Sequence, residues 1–365
     1  MDSTRALKTM RLEPTERISH WESFSHPGFE QQVTGIDPWD HPQRARQRLL
    51  ELFLIDVGSV PVSDAPLERF SDSQLTFVED DGARSVRRGA GRTWHWDWGK
   101  HFKTIEDVLS YDPMAHLDQR NTGVVAEYDY RLDVDHLAAV LQRELDTQRA
   151  ATGQRALVTG SFYNTIFMWP LLTFGWELFL ELGALYEGEM RRLLGQFAER
   201  SRKAFQAFAR TDVEVVISHD DICYAAGPVF RPEWLRRMIY PYYEEFWGYL
   251  HGAGKKVVFI SDGNVDRVAE DVFACGADGI RSEPYTDWGA LTKRHPDKIL
   301  AGDGDNRVLA TADRAAIFEM VRGMAARGRG CPGYFFSIGN HLPWNLPAEG
   351  IRYYFEASEA LGRRQ

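Results

Sequence analysis

The stretch Lys255-Lys256-Val257-Val258-Phe259-Ile260-Ser261-Asp262-Gly263-Asn264 decides how the chain folds. Four consecutive apolar residues, 257–260, predict a strand buried on both faces, as in a parallel sheet. Polar, turn-forming residues follow at once, and a helical pattern covers residues 265–274. The stretch is therefore a βα unit with a carboxylate and an amide at the carboxyl end of its strand, where α/β sheets and barrels place their chemistry.

The same unit recurs through the C-terminal half of the chain. Apolar segments that alternate with helical patterns lie at 155–159, 213–217, 276–280, 298–301 and 333–337. The polar residues that follow the strands are Ser161, His219, Asp220, Asp221, Asp262, Asn264, Glu283, Asp303, Asp305, Asn340 and His341. This rhythm predicts a (β/α)8 TIM barrel whose active site lies in its mouth, at the carboxyl ends of the strands. Two of the eight strands have no secure place in the sequence, so a doubly wound open sheet is the alternative.

The N-terminal third lacks this rhythm. We therefore predict that residues 1–130 form an N-terminal extension with lid elements over the barrel mouth. Residues 131–365 form the TIM-barrel catalytic domain, and the two parts make one continuous domain. The segment around Trp94 and Trp96 carries three tryptophans within five residues. It predicts an aromatic wall over a ligand or, alternatively, a contact in the core or lid.

Composition excludes several classes of protein. The formal net charge of -10 argues against binding nucleic acid through phosphate contacts. Three scattered cysteines do not make a disulfide framework or a standard structural zinc site. No apolar run reaches the roughly 20 residues that a membrane helix needs, and the first residues do not resemble a signal peptide. We expect a cytoplasmic protein that acts on a small molecule and forms a possible homodimer.

A series of short motifs follows in order along the chain. The motifs are Asp220-Asp221, Gly227-Pro228, Pro232-Glu233, Pro241-Tyr242, 261–264, Gly276-Ala277-Asp278, Glu283-Pro284, Gly304-Asp305, Gly333-Tyr334 and Pro347. In their order and spacing, the chain resembles the uroporphyrinogen decarboxylase superfamily over about residues 155 to 362. It resembles the methyltransferase branch more than the haem-pathway decarboxylases, whose arginine-rich N-terminal motif has no counterpart here.

The resemblance implies a methyltransferase that passes a methyl group from its substrate to cob(I)alamin on a separate corrinoid protein. Some members first activate a thiol on zinc with a His-x-Cys pair and a later cysteine. In this chain Ile260 stands at the histidine position and Asp262 at the cysteine position of the pair. The position of the later cysteine falls near Ile338. Aliphatic side chains cannot bind a metal, so the thiol-activating zinc site is predicted to be absent. The Ser-Asp-Gly-Asn version is similar to members linked to O-demethylation, often of methoxylated aromatic compounds.

An ether oxygen becomes a leaving group only when it is protonated or bound to a Lewis acid. We predict that the catalytic residues are Asp262, Glu283, His219 and His341. The predicted substrate-binding residues are Asp221, Asn264, Asp305, Asn340, Trp94, Trp96 and Phe162. In the alternative with a metal, its ligands would come from His219, Asp221, Asp262, Glu283 and His341. Asp262 itself either faces the mouth or caps the helix that follows it.

Two other functions remain open. One is a decarboxylase or lyase on the same fold, which would need cationic groups to hold carboxylates. The other is a degenerate family member that only binds a ligand. The chain lacks the Asp-x-His-x-x-Gly motif of a cobalamin domain, so a methyltransferase of this kind would take its corrinoid from a partner protein.

Overall fold

The structure is a computed structural model. It describes residues 4–67, 78–80, 83–88, 92–95, 102–116, 128–153 and 155–364. For the strands between residues 78 and 95, and for residue 116, the description covers the backbone alone. Within these ranges, every helix is too short or too polar to traverse a bilayer.

The strands within these ranges are short. They are β1 (Ser19–His20), β2 (Phe24–Ser25), β3 (Val78–Asp80), β4 (Ala83–Arg88), β5 (Arg92–His95), β6 (Gly160–Phe162), β7 (Val215–His219), β8 (Cys223–Tyr224), β9 (Gly227–Pro228), β10 (Lys256–Ile260), β11 (Gly279–Arg281), β12 (Ile299–Ala301), β13 (Phe335–Phe336) and β14 (Leu342–Pro343).

Helices occupy most of the chain between these strands. They are α1 (Thr4–Met10), α2 (Pro27–Thr34), α3 (Pro42–Leu52), α4 (Ile105–Leu109), a 3-10 helix (Pro113–His116), α5 (Val134–Thr152), α6 (Met168–Phe174), α7 (Trp176–Leu185), α8 (Glu187–Ala209), α9 (Pro232–Met238), α10 (Tyr240–Gly252), α11 (Ala269–Ala274), α12 (Trp288–Arg294), α13 (Asn306–Leu309), α14 (Arg314–Arg329) and α15 (Ala348–Leu361).

A five-stranded parallel sheet organises the molecule. Its strands lie in the order β12-β11-β10-β7-β6, so β10 has a neighbour on each side. Val257, Val258 and Phe259 are completely buried, as the unbroken apolar run predicts. Helices connect the parallel strands, so the chain is an α/β protein.

Further parallel pairings extend both edges of this sheet. Leu300 pairs with Tyr334, and β13 pairs with β1. Trp21 pairs with Val57, which in turn pairs with Leu157 just before β6. These pairings are two-stranded or single bridges beside the five-stranded sheet. Within the described residues, the strands do not form one continuous eight-stranded barrel. They nevertheless bring residues 19–57 against the C-terminal strands. The boundary predicted at residue 130 stays a prediction.

Alternation along the strands separates two clusters of core residues. Val215, Val258 and Ile299 lie in a small inner cluster together with Trp21 and Phe335. Their neighbours in sequence, such as Val216, Val257 and Leu300, lie in the larger cluster that the helices cover. Successive side chains of a strand point to opposite faces. Inner and outer positions can therefore be assigned along each strand up to its carboxyl end.

Helix α1 corrects part of the predicted lid. Its residues Ala6 and Met10 belong to the inner cluster. The next residue, Arg11, forms an ion pair with Glu214, which immediately precedes β7. Helix α1 therefore covers the amino ends of the strands, opposite to the mouth. The predicted placement of residues 1–130 over the mouth is wrong for this helix, and for the rest of the segment it stays a prediction.

Asp220 organises the start of helix α6. Its carboxylate accepts hydrogen bonds from the backbone N–H groups of Ile166, Phe167 and Met168, at 2.9, 2.8 and 2.8 Å. The Tyr243 hydroxyl donates a fourth hydrogen bond at 2.9 Å. Burial raises the pKa of Asp220 to about 7, against the effect of these donors. This strand-end aspartate therefore points away from the mouth and holds a helix in place.

We expect Asp220→Ala to destabilise the protein by roughly 3 kcal/mol or more, because it leaves several buried donors without an acceptor. Urea denaturation measures the change in the free energy of unfolding. Asp313→Ala is the matched control, since Asp313 caps α14 at an exposed position. Losing an exposed cap costs about 1 kcal/mol. Equal losses in the two variants would contradict the organising role of Asp220.

Candidate active site

Three neighbouring strands bring together three of the four predicted catalytic residues, His219, Asp262 and Glu283. In the parallel register His219 of β7 lies opposite Ile260 of β10, and Ile260 lies opposite Arg281 of β11. His219 is two and four residues beyond Ile217 and Val215, both of which face the inner cluster. His219 and Arg281 therefore point into the mouth from two strands, and the loop after β10 passes between them.

His219 and Asp221 form one unit. The His219 Nε2 atom lies 2.9 Å from Asp221 Oδ1, and the two side chains are 17% and 19% exposed. Burial opposes the charge on the histidine, but the Asp221 carboxylate prevails and raises the pKa of His219. Burial likewise opposes the charge on Asp221, whose pKa is nevertheless lowered by the facing His219. Imidazolium and carboxylate thus stabilise each other as an ion pair.

Asp262 lies beside this pair and belongs to the same site. Its backbone N–H donates to Asp221 Oδ1 at 2.9 Å, and its Oδ2 accepts from Asn340 Nδ2 at 3.3 Å. Burial, followed by repulsion from Asp221 and Glu283, raises the pKa of Asp262 to about 7. Asp262 does not cap the next helix, because α11 begins at Ala269 with Val268 before it. The carboxyl group therefore exists in both protonation states near neutral pH.

Glu283 holds the loop that carries Asp262. Its Oε2 accepts the backbone N–H of Gly263 at 2.7 Å. Gly263 has a φ of 83°, and a Cβ built there would lie 2.4 Å from the backbone of Tyr224. Only glycine fits this left-handed, closely packed position. Glu283 thus lies next to Asp262, with one oxygen engaged by the backbone.

Tyr163 and Arg281 also line the mouth, and the sequence analysis did not select either as a site residue. The Tyr163 ring lies 4.2 Å from the His219 ring, centroid to centroid. Burial raises the pKa of Tyr163, and the nearby aspartates add to this effect. Arg281 donates from Nη2 to the backbone carbonyl of Asn340 at 2.8 Å. The sequence feature that could have identified Arg281 is its place at the end of a predicted strand. The register of that strand follows from its neighbours, so its last residue lies at the mouth.

The remaining predicted polar residues divide between the site and the surrounding loops. Asn340 contacts Asp262, and His341 Nδ1 lies 2.6 Å from Asn340 Oδ1. The Asn264 amide is engaged in its own loop, where it donates to the Tyr285 carbonyl and accepts from the Asp266 N–H. The binding role predicted for Asn264 would therefore require breaking these loop contacts.

Asp305 and Phe162 lie elsewhere. Asp305 caps α13 and pairs with Arg307. It lines a cavity of about 660 Å³ between α12 and α14 that Asp303 also lines. Phe162 is buried between the sheet and the helices, with its ring 5.4 Å from that of Phe205. Neither side chain contacts the His219, Asp221 and Asp262 group, so the structure corrects their assignment to the mouth.

The side chains of the two predicted tryptophans lie outside the described part of the chain. Trp94 pairs with Val86 in an antiparallel sheet formed by β3, β4 and β5, of which the backbone alone is described. Trp96 lies outside the described residues. The predicted aromatic wall stays a prediction.

One group of side chains in the mouth has the donor types and the spacing to share a cation. Ligand atoms of His219, Asp221 and Asp262 lie within 4.8 Å of one another. Glu283 and His341, the other two ligands of the predicted alternative, are not part of this group. The resemblance places Ile260, and a position near Ile338, at two of the three ligand positions of the thiol-activating zinc site. Aliphatic side chains cannot bind a metal, so the absence of that site stays a prediction.

The comparisons with known proteins agree with this architecture. A family model described as uroporphyrinogen decarboxylase (URO-D) matches residues 173–361. The chain belongs to the uroporphyrinogen decarboxylase family. The match begins in α6 and ends with α15, so it contains His219, Asp221, Asp262 and Glu283. No curated protein gives a significant match to the sequence.

Among solved structures, this family member is similar to a methyltransferase from Methanosarcina mazei. The likeness covers 98% of each chain with a TM-score of 0.62, and the sequences are 14% identical. At this identity the comparison shows a shared fold. The methyltransferase is matched over nearly its whole length, so the N-terminal residues before the family-model match also have counterparts in it.

We expect the metal content of the protein to be independent of its cysteines. Burial raises the pKa of Cys331 to about 11, which disfavours the thiolate that a metal needs. Its Sγ lies 3.3 Å from the Pro296 carbonyl, where the thiol can donate. Elemental analysis of wild type and Cys331→Ser should give equal zinc contents. Stoichiometric zinc in the wild type that disappears in Cys331→Ser would show that a sulfur-ligated site exists.

Proposed function

We propose that the protein is a methyltransferase of the O-demethylating kind. It would move the methyl group of a small methoxylated substrate, such as a methoxylated aromatic compound, to a corrinoid on a separate protein. Membership of the family and the likeness to a methyltransferase fold support an enzyme of this general class. The observation that carries the proposal is Asp262, an acid with a pKa near 7 in the mouth beside His219 and Asp221.

The fold belongs to this proposal as well. We take the parallel pairings of Leu300 with Tyr334, of β13 with β1, and of Val57 with Trp21 and Leu157 as the links that complete a (β/α)8 barrel. Together with the five-stranded sheet they connect eight chain segments in a circuit that returns to β6. In such a barrel the polar strand ends would surround one opening, which is the usual position of an active site in this fold.

The proposed reaction needs a proton at the ether oxygen. As the bond between the methyl carbon and this oxygen breaks, the bonding electrons stay on the oxygen, which takes the proton of Asp262. The acceptor supplies a strongly nucleophilic centre that receives the methyl group. Asp221 and Glu283 contribute by keeping Asp262 protonated at higher pH than an exposed aspartate. Protonation by a positioned acid typically contributes 10²- to 10⁴-fold to the rate.

The test is methyl transfer from a panel of methoxylated aromatic compounds to added cob(I)alamin. We expect Asp262→Asn to reduce turnover by about 10²-fold or more, because the amide keeps the shape of the acid without its proton. Asp266→Asn makes the same change on the same loop and should leave turnover near the wild-type value. No methyl transfer from any member of the panel, or equal turnover in wild type and Asp262→Asn, would contradict the proposal.

Turnover should also depend on pH in a defined direction. The proton donor is the neutral form of Asp262, whose pKa is about 7. We therefore expect kcat/KM to fall as pH rises above about 7, with a slope approaching one decade per pH unit. A pH profile with a fixed acceptor concentration measures this. A rate that instead rises through pH 7 would indicate that Asp262 acts as a base.

Asp262 should have a related effect on stability. In an unfolded chain an aspartate ionises near pH 3.9, whereas in the folded protein Asp262 ionises near pH 7. Between these values the folded state binds more protons, so stability falls as pH rises. Asp262→Asn removes this contribution. We expect its melting temperature relative to wild type to be higher at pH 8 than at pH 5, and the reverse order would contradict the raised pKa.

A further inference from the structure

The guanidinium group of Arg281 lies in the mouth beside Asp262. Arg281 pairs with Ile260 and Ala301 in the sheet, which places its side chain on the inner face with Ala301. The guanidinium carbon lies 5.2 Å from the centre of the Trp21 ring. The residue is 8% exposed. A cation is thus held on an aromatic face at the carboxyl end of the sheet.

Few partners satisfy this guanidinium. Within the described residues, the Arg281 side chain donates one hydrogen bond, from Nη2 to the Asn340 carbonyl. Its Nε is buried without a hydrogen-bond partner. A guanidinium carries five N–H donors, and a buried donor without an acceptor destabilises the folded protein. Such a group calls for an acceptor that is not part of the described chain.

The nearest acids do not bind the guanidinium directly. Among the described residues, no carboxylate forms an ion pair with Arg281. Glu22 is 1% exposed and accepts hydrogen bonds from the Tyr354 hydroxyl and the Ile338 N–H. Burial raises the pKa of Glu22 to about 8 and that of Asp262 to about 7. Asp221 is already paired with His219. These acids are therefore engaged with other groups, and the guanidinium of Arg281 keeps donors that they do not occupy.

We propose that Arg281 binds a carboxylate on the substrate, so that the methyl donor is a methoxylated carboxylic acid. The substrate class rests on the proposed function, whereas the carboxylate site itself rests on the contacts of Arg281. A carboxylate matches the planar fork of a guanidinium and accepts from two of its donors at once. Asp221, Asp262 and Glu283 repel any anion, but they repel the single charge of a carboxylate less than the double charge of a phosphate dianion.

This arrangement also assigns distinct tasks to neighbouring groups. Asn340 contacts both Arg281, through its carbonyl, and Asp262, through its amide. The site that holds the carboxylate is therefore one residue away from the acid that protonates the ether oxygen. Anchoring one end of the substrate at Arg281 would present the other to Asp262.

The test measures binding without requiring turnover. Isothermal titration calorimetry at pH 7 compares 3-methoxybenzoate, 4-methoxybenzoate and methoxyacetate with their neutral carboxamides. We expect at least one carboxylate to bind about 10- to 100-fold more tightly than its amide, the range of a charged hydrogen bond. Arg281→Gln should abolish this preference, and Arg281→Lys should restore part of it. Arg307→Gln is the control, because Arg307 lies at the rim over Tyr285 and pairs with Asp305.

The outcomes separate the two proposals. Equal affinity of every carboxylate and its amide for the wild type would overturn the carboxylate site, even if Arg281→Gln failed to fold. A preference that survives in folded Arg281→Gln would overturn it too. Binding that depends on Arg281 without methyl transfer to cob(I)alamin would uphold the carboxylate site and contradict the proposed reaction. Methyl transfer from neutral ethers alone would uphold the proposed reaction and contradict the carboxylate site.

Discussion

The register between β7, β10 and β11 is the constraint on which the site depends. It aligns His219 with Ile260 and Ile260 with Arg281. Because side chains alternate along a strand, this alignment sends His219 and Arg281 into the mouth and sends Ser218 and Ile280 toward the helices. A slip of one residue in β7 would replace His219 by Ser218. Burial of Val257, Val258 and Phe259 in both core clusters makes such a slip costly.

The same rule explains how much of the site the sequence could predict. The unbroken apolar run of β10 predicted a buried strand. Asp262 comes just after this run, which predicted that it lies at the carboxyl end of the strand. The pair Asp220 and Asp221 shows the limit. The two carboxylates are adjacent in sequence, yet Asp220 organises α6 while Asp221 pairs with His219. Which of the two carboxylates faces the mouth depends on which face of the strand is turned toward the inner cluster. The local sequence pattern does not determine this orientation.

Other differences have similar causes. The strand at Ser19–His20 was not predicted, because β1 spans two residues, too few to give a periodic pattern. Its pairing with β13 depends on a partner more than 300 residues away in the chain. Phe162 is the last residue of β6, but it points outward because strand alternation places it with the helix-facing residues. Arg281 was not selected from the sequence, because its contacts with Trp21 and Asn340 and its unpartnered Nε depend on residues that are distant in the chain.

The hydrogen bonds around Asp262 have a consequence for how this enzyme can change. Asp221 and Glu283 raise the pKa of Asp262, and they also hold the backbone N–H groups of Asp262 and Gly263. Electrostatic tuning and geometric support therefore come from the same two side chains. Replacing either one to shift the working pH would also displace the loop. An evolving or engineered variant could more readily adapt to acidic or alkaline conditions through residues that contribute charge without holding this loop.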